Sequence, residues 1–141
     1  MSGRIRLMIG GLIAASLAGC AARAPVSTPV PTSARVLATR EGLASYYGAN
    51  FHGKTAASGV RFDMNAMVAA HPSYPFGTLV RVTNLNNGRS VQVRVLDRGP
   101  GSGPQADGII IDLSRGAAEA LDFLRAGRAR VRLEVLRWGT D

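Results

Sequence analysis

The sequence predicts a small, closed, mainly β barrel of about six short strands with one short α-helix. Three observations predict it. Apolar and polar residues alternate through Leu79–Thr83, Val91–Val95 and Val131–Val135, the period of a strand with one buried face. Asn87-Gly88 stands between the first two of these runs, and that dipeptide is the strongest short-range hairpin signal. About six such runs and a single helical stripe fall within roughly 100 residues, with no repeat at a solenoid period.

The first element in the chain precedes the barrel. Residues 1–19 have the order of an export signal: Arg4 and Arg6, then an apolar run from Leu7 to Leu17. That run is shorter than the roughly 20 residues a comfortable membrane span needs. It ends in Leu17-Ala18-Gly19-Cys20, with the only cysteine of the chain. The order resembles the bacterial lipobox, which implies cleavage before Cys20 and a lipidated thiol anchored in a bilayer. The alternative is an ordinary signal peptide with an incidental cysteine. Ala21, not aspartate, follows. By resemblance to Gram-negative lipoproteins, that favours the periplasmic face of the outer membrane. Residues 20–40, with Pro25, Pro29 and Pro31 and no hydrophobic period, read as an extended tether.

The domain is expected over residues 41–138. Gly42–Gly48 reads as a strand ending in aromatics, and Asn50–Gly59 as a loop of small residues. Met64–Ala70 is apolar, but its period decides neither strand nor helix. Pro72 turns His71 away from helical geometry. Beyond the hairpin, Gly101–Gly108 reads as a polar loop and Ile109–Ile111 as a short buried strand. Ser114 is a candidate N-cap for a helix striped by Ala117, Leu121 and Leu124 and ended by Gly127. The last strand carries Val131, Leu133 and Val135.

Charge narrows the partners. The formal net charge is +8, and without Arg4 and Arg6 the balance is 15 basic against 9 acidic residues. Such an excess favours a polyanion: nucleic acid, anionic lipid or an acidic wall polymer. No helix-turn-helix, zinc finger or aromatic nucleic-acid platform is visible, so nucleic acid is the weakest of the three. Two histidines and one lipidated cysteine do not make a plausible zinc set, and no cofactor is expected.

Asp97 is the residue with the most chemical promise. It ends the Val91 strand and is followed by Arg98, Gly99 and Pro100, which stop it. An acid on a rigid strand end is how a scaffold holds a catalytic group. The bland reading is a turn-forming or ion-paired aspartate beside Arg98. His71 has its own bland reading as a capped core histidine before Pro72. Tyr46, Tyr47, Phe51 and Tyr74 can stack on sugar faces or pack in the core.

From Gly42 to about Leu136 the chain resembles the rare lipoprotein A (RlpA) family. The matches are Gly42-Leu43-Ala44-Ser45-Tyr46-Tyr47-Gly48, Phe51–Gly59, Asp63–Met67, Ala69-Ala70-His71, Pro75–Thr78, Val80–Leu85, Asn87-Gly88-Arg89, Asp97-Arg98-Gly99-Pro100 and Ile111-Asp112-Leu113-Ser114. The resemblance implies a six-stranded double-psi β-barrel related to plant expansins and family 45 glucanases. It implies an endolytic lytic transglycosylase that cuts peptidoglycan glycan strands, preferring strands without stem peptides, near the division septum and its septal-ring proteins. Many members carry a C-terminal glycan-binding module; this sequence stops at Asp141, so none is expected.

The chemistry the resemblance implies is compact. A carboxylic acid protonates the glycosidic oxygen between N-acetylmuramic acid and N-acetylglucosamine. The muramic 6-hydroxyl then closes on C1 to form a 1,6-anhydro ring. The nucleophile is internal, so a second catalytic carboxylate is not strictly required, unlike in most hydrolytic glycosidases. Asp97 matches the family's acid/base and His71 a histidine of the same cleft. Tyr47, His52, Ser58 and Arg98 are expected to bind substrate. The family's Ser-Gly-Glu is Ser58-Gly59-Val60 here, and valine transfers no proton. Asp63 is the nearest acid that follows. Val60 leaves a second function open: a non-catalytic glycan-binding or divisome lipoprotein on the same barrel.

Overall fold

The computed structural model of the protein describes residues 34–140. The signal peptide, Cys20 and most of the tether lie outside the described residues. Six strands are present among them: β1 (Ala38–Tyr46), β2 (Val68–Ala70), β3 (Leu79–Asn84), β4 (Ser90–Asp97), β5 (Ile109–Leu113) and β6 (Ala129–Arg137). They close into a barrel in the order β1-β5-β2-β4-β3-β6. β1/β5 and β2/β4 pair in parallel, and the other four pairings are antiparallel. The double-psi β-barrel expectation therefore holds.

Alternation is what fills the barrel. Val80 and Val82 of β3, Val93 and Val95 of β4, and Val131, Leu133 and Val135 of β6 are fully buried, while Arg81, Gln92 and Arg132 point outward. β-branched residues suit this pleated, half-buried surface. On the outside, Arg81 grips Glu134 with two hydrogen bonds of 3.1 and 2.9 Å.

Three details differ from the expectation. β1 begins at Ala38, so the last residues assigned to the tether pair with β6. Two short α-helices occur among the described residues, not one: α1 (Ser102–Ala106) lies inside the expected Gly101–Gly108 loop, ahead of α2 (Arg115–Ala120). α2 also stops short of Gly127, because Asp122 turns to φ 58° and the side-chain amides of Asn84 and Asn87 both donate to the Leu121 carbonyl at 2.9 Å.

The N-cap holds as expected. The Ser114 hydroxyl accepts from the Ala117 N–H at 3.1 Å and donates to the Ala66 carbonyl. Ser114 is fully buried, so Ser114→Ala removes a cap and one of the two donors, the other being the Val68 N–H, that meet the half-buried Ala66 carbonyl. A loss of about 1–3 kcal/mol in denaturant unfolding is expected.

Candidate active site

A second, smaller apolar cluster builds the site. Ala56, Phe62 and Leu96 are buried together, with Tyr47, Met64 and Val68 packed against them. Leu96 faces outward from β4, so this cluster lays the 49–62 loop over the end of that strand. The Ser58 N–H donates to the Leu96 carbonyl at 3.1 Å, fixing the loop beside Asp97.

The loop brings donors to the carboxylate. Asp97 Oδ1 accepts from the Ala57 N–H at 2.9 Å and from the Arg98 N–H at 2.8 Å. Its Oδ2 accepts from the Tyr47 hydroxyl at 3.1 Å. Asp97 is half-buried, so one side is held by protein and the other is open. Tyr47 lies tilted against Phe51 and Phe62, with ring centroids 5.2 and 4.8 Å away. Burial, and then the Asp97 carboxylate, push its phenol well above the ordinary tyrosine range. It therefore stays a donor, and its contribution is to hold Asp97.

His71 is adjacent by backbone: its N–H donates to the Asp97 carbonyl at 3.2 Å. The imidazole does something else. It is 1% exposed, and its ring stacks on Tyr74 with centroids 3.5 Å apart and planes 10° from parallel. Nδ1 accepts from the Ser73 and Tyr74 N–H groups at 3.1 and 3.0 Å. That network assigns the proton to Nε2, a buried atom with no hydrogen-bond partner among the described residues. Burial, with Arg40 and Arg98 nearby, lowers the pKa to about 4. The ring is neutral at physiological pH, and its contacts do not include the Asp97 carboxylate.

The remaining expected residues are spread along the rim. The Arg98 guanidinium sits 3.9 Å from the Phe76 ring centre and donates to the Tyr74 carbonyl at 2.7 Å, tying the 71–76 loop to the strand end. His52 is exposed, with Nδ1 accepting from the Met64 N–H at 3.1 Å and 3.9 Å from Asp63 Oδ1. Asp63 is held in its own loop, capping the Asn65 N–H at 2.9 Å. Ser58 and Val60 border a groove of about 690 Å³ with Met67, Phe76, Arg94 and Leu96. Asp97 stands one residue beyond its Leu96 wall. Val60 is 53% exposed, so a side chain at this position reaches the groove. Among the described residues no cluster of three or more His, Cys, Asp or Glu side chains is placed to hold a metal.

One acid gains a role only in the structure. Asp112 of β5 lies across a single residue from Asp97: Ala70 of β2 pairs with Asp112 on one side and Asp97 on the other. In the sequence it stands within Ile111-Asp112-Leu113-Ser114. The signal available there was one charge in an otherwise apolar strand.

The lytic transglycolase family matches residues 39–133. The chain belongs to that family. Among curated relatives of this RlpA type, endolytic peptidoglycan transglycosylase RlpA of Campylobacter jejuni is 48% identical over 114 residues, 81% of this chain and 40% of that protein. The Neisseria meningitidis protein of the same name is 50% identical over 98 residues, 70% of this chain and 39% of its own. The chain thus spans about 40% of the length of these relatives. Among solved structures, the Streptomyces papain inhibitor superposes with a TM-score of 0.57 at 25% identity, over 73% of this chain and 98% of its own. Clavibacter michiganensis expansin gives 0.56 at 25% identity, over 74% and 53%. An RlpA-type barrel thus shares its fold with an inhibitor and an expansin, so the site must argue the chemistry.

Proposed function

We propose that this RlpA-type barrel is an endolytic peptidoglycan lytic transglycosylase that acts on glycan strands, preferring those without stem peptides, and leaves 1,6-anhydro-muramic ends. The observation that carries the reading is Asp97: three donors fix it, half-buried, at a strand end beside an open groove. The names of the relatives supply the substrate. Asp97 serves as general acid/base, with Tyr47 and the Ala57 N–H keeping it in place. Tyr47 thus acts through Asp97, Arg98 through the 71–76 loop, and His71 as a rigid neutral support beneath that loop. Ser58 and His52 remain substrate-side residues of the covering loop. Acylated Cys20 anchors the barrel in a bilayer at the periplasmic face of the outer membrane, within reach of the wall and of septal-ring proteins.

Val60 favours a second reading, a glycan-binding lipoprotein without chemistry, because it puts a methyl-bearing side chain on the groove where the resemblance implies a carboxylate. Digestion of purified stem-free glycan strands separates the two. Wild-type protein is expected to produce 1,6-anhydro ends detectable by mass spectrometry. If wild type produces none and Val60→Glu does, the binding reading is correct.

A further inference from the structure

We infer that Asp112 is the second carboxylate of this cleft and the proton donor to the glycosidic oxygen, leaving Asp97 to take the proton of the muramic 6-hydroxyl. The inference rests on the glycan-cleaving reading above and assigns the two halves of its acid/base work to separate residues.

The geometry comes from the barrel itself. Ser45 of β1, Asp112 of β5, Ala70 of β2 and Asp97 of β4 form one continuous row across four neighbouring strands. Two strand spacings of about 4.8 Å put the two aspartate backbones roughly 10 Å apart. Carboxylates that work as a pair on a glycosidic bond stand roughly 5–9.5 Å apart, so the row sets the two acids near the upper end of that range, with the Asp112 carboxylate turned toward Ser45. Asp112 sits between fully buried Ile111 and Leu113, so its side chain points away from the core, to the outer side where Tyr47 packs. Both carboxylates act on the Tyr47 phenol, which places that ring within electrostatic reach of the two. A Cβ at Gly99 would lie 3.3 Å from Asp112 Oδ2, so the turn that follows Asp97 folds directly against the second acid.

The two acids have different surroundings. Asp97 takes three hydrogen bonds. Asp112 takes one, from the Ser45 hydroxyl to Oδ1, which leaves Oδ2 for a proton. Burial raises its pKa from the ordinary aspartate value, and the Ser45 bond offsets part of that rise. A carboxyl whose neutral form is favoured by burial is the one suited to hold a proton for transfer. The ionisable groups on adjoining strand ends are Tyr47 from β1, His71 from β2, and Asp97 and Arg98 from β4. His71 is held neutral by burial first, and then by Arg40 of β1 and Arg98.

The step balances without any co-reactant. The Asp112 O–H passes its proton to the glycosidic oxygen as the bond from that oxygen to muramic C1 breaks, its electron pair leaving with the oxygen. The 6-hydroxyl oxygen bonds to C1, and its proton goes to the Asp97 carboxylate. Solvent then returns a proton to Asp112 and removes one from Asp97. Val60 is tolerated in this scheme because neither half of the transfer falls on it.

Asp112→Asn is the test, since asparagine keeps the size of the side chain and an acceptor for Ser45. With stem-free glycan strands, kcat for 1,6-anhydro ends is expected to fall at least about 100-fold, with KM within about threefold and the thermal midpoint close to wild type. Ser45→Ala supplies a readout that a purely structural role would not move. Without its donor the charged form of Asp112 is less favoured, so the alkaline limb of the kcat profile shifts to higher pH. That readout also decides the matter if Asp112→Asn fails to fold. Asp112→Asn cutting at the wild-type rate while Asp97→Asn does not would overturn the assignment. So would an inactive wild type made active by Val60→Glu, because the glutamate would then be indispensable. If neither wild type nor Val60→Glu cuts, the glycan-cleaving reading itself fails, a result distinct from the other two.

Discussion

Asp97→Asn is expected to lower kcat for 1,6-anhydro ends by about 1000-fold or more, within the range of a lost general acid/base, while the barrel stays folded. The amide oxygen of asparagine still accepts from the Ala57 and Arg98 N–H groups, which both meet Oδ1. Its NH2 group then faces the Tyr47 hydroxyl, which rotates to accept instead of donate. Asp97→Ala is a poorer probe. It strands three donors at once, one of them on half-buried Tyr47, and confounds lost chemistry with a shifted 49–62 loop. The measurement is single-turnover cleavage of stem-free strands beside a thermal melt. Asp97→Asn cutting within tenfold of wild type would remove Asp97 from the chemistry.

The reason this carboxylate was readable in the sequence is local, and the reason its setting was not is global. Val91, Val93 and Val95 announce β4 by period, and Gly99-Pro100 announces where it stops, so the position of Asp97 follows from ten residues. Its hydrogen-bond partners come from residues 47 and 57, which the packing of Ala56, Phe62 and Leu96 brings to it across the chain. β3, β4 and β6 were legible for the same reason as Asp97: each buries one face, and burial of one face writes a period of two. β2 was not legible. Val68-Ala69-Ala70 is three residues long and wedged between β4 and β5, too short for any period. The length of α2 is not legible locally, because Asn84 and Asn87, some 35 residues away, donate to the Leu121 carbonyl at its end. The role of Asp112 is not legible, since nothing local says that Ala70 seats it beside Asp97. His71 was matched to the cleft by resemblance, and the bland reading of the residues was correct about its burial.

That burial carries the second large effect. The folded pKa of His71 is lowered to about 4, against about 6.5 in an unfolded chain. Between those values the unfolded state binds more protons than the folded state, so stability rises with pH across this window. Acidification from about pH 6.5 to pH 4 is therefore expected to cost on the order of 3 kcal/mol through this one residue. Protonation has no inexpensive route in the folded chain: Nδ1 already accepts two backbone N–H groups, and the ring lies flat on Tyr74. His71→Asn isolates the titration. The asparagine oxygen can take the same two N–H groups, as asparagine does in turns two and three residues ahead of it. The stack is lost, so the variant is expected to be about 1–3 kcal/mol less stable than wild type at pH 7. Its stability should change much less between pH 6.5 and 4. Urea unfolding of both proteins across that range checks the sign directly: the two curves should converge as pH falls. Parallel curves would mean that His71 titrates normally and that its imidazole is open to solvent, which would return it to the cleft as a group able to exchange protons.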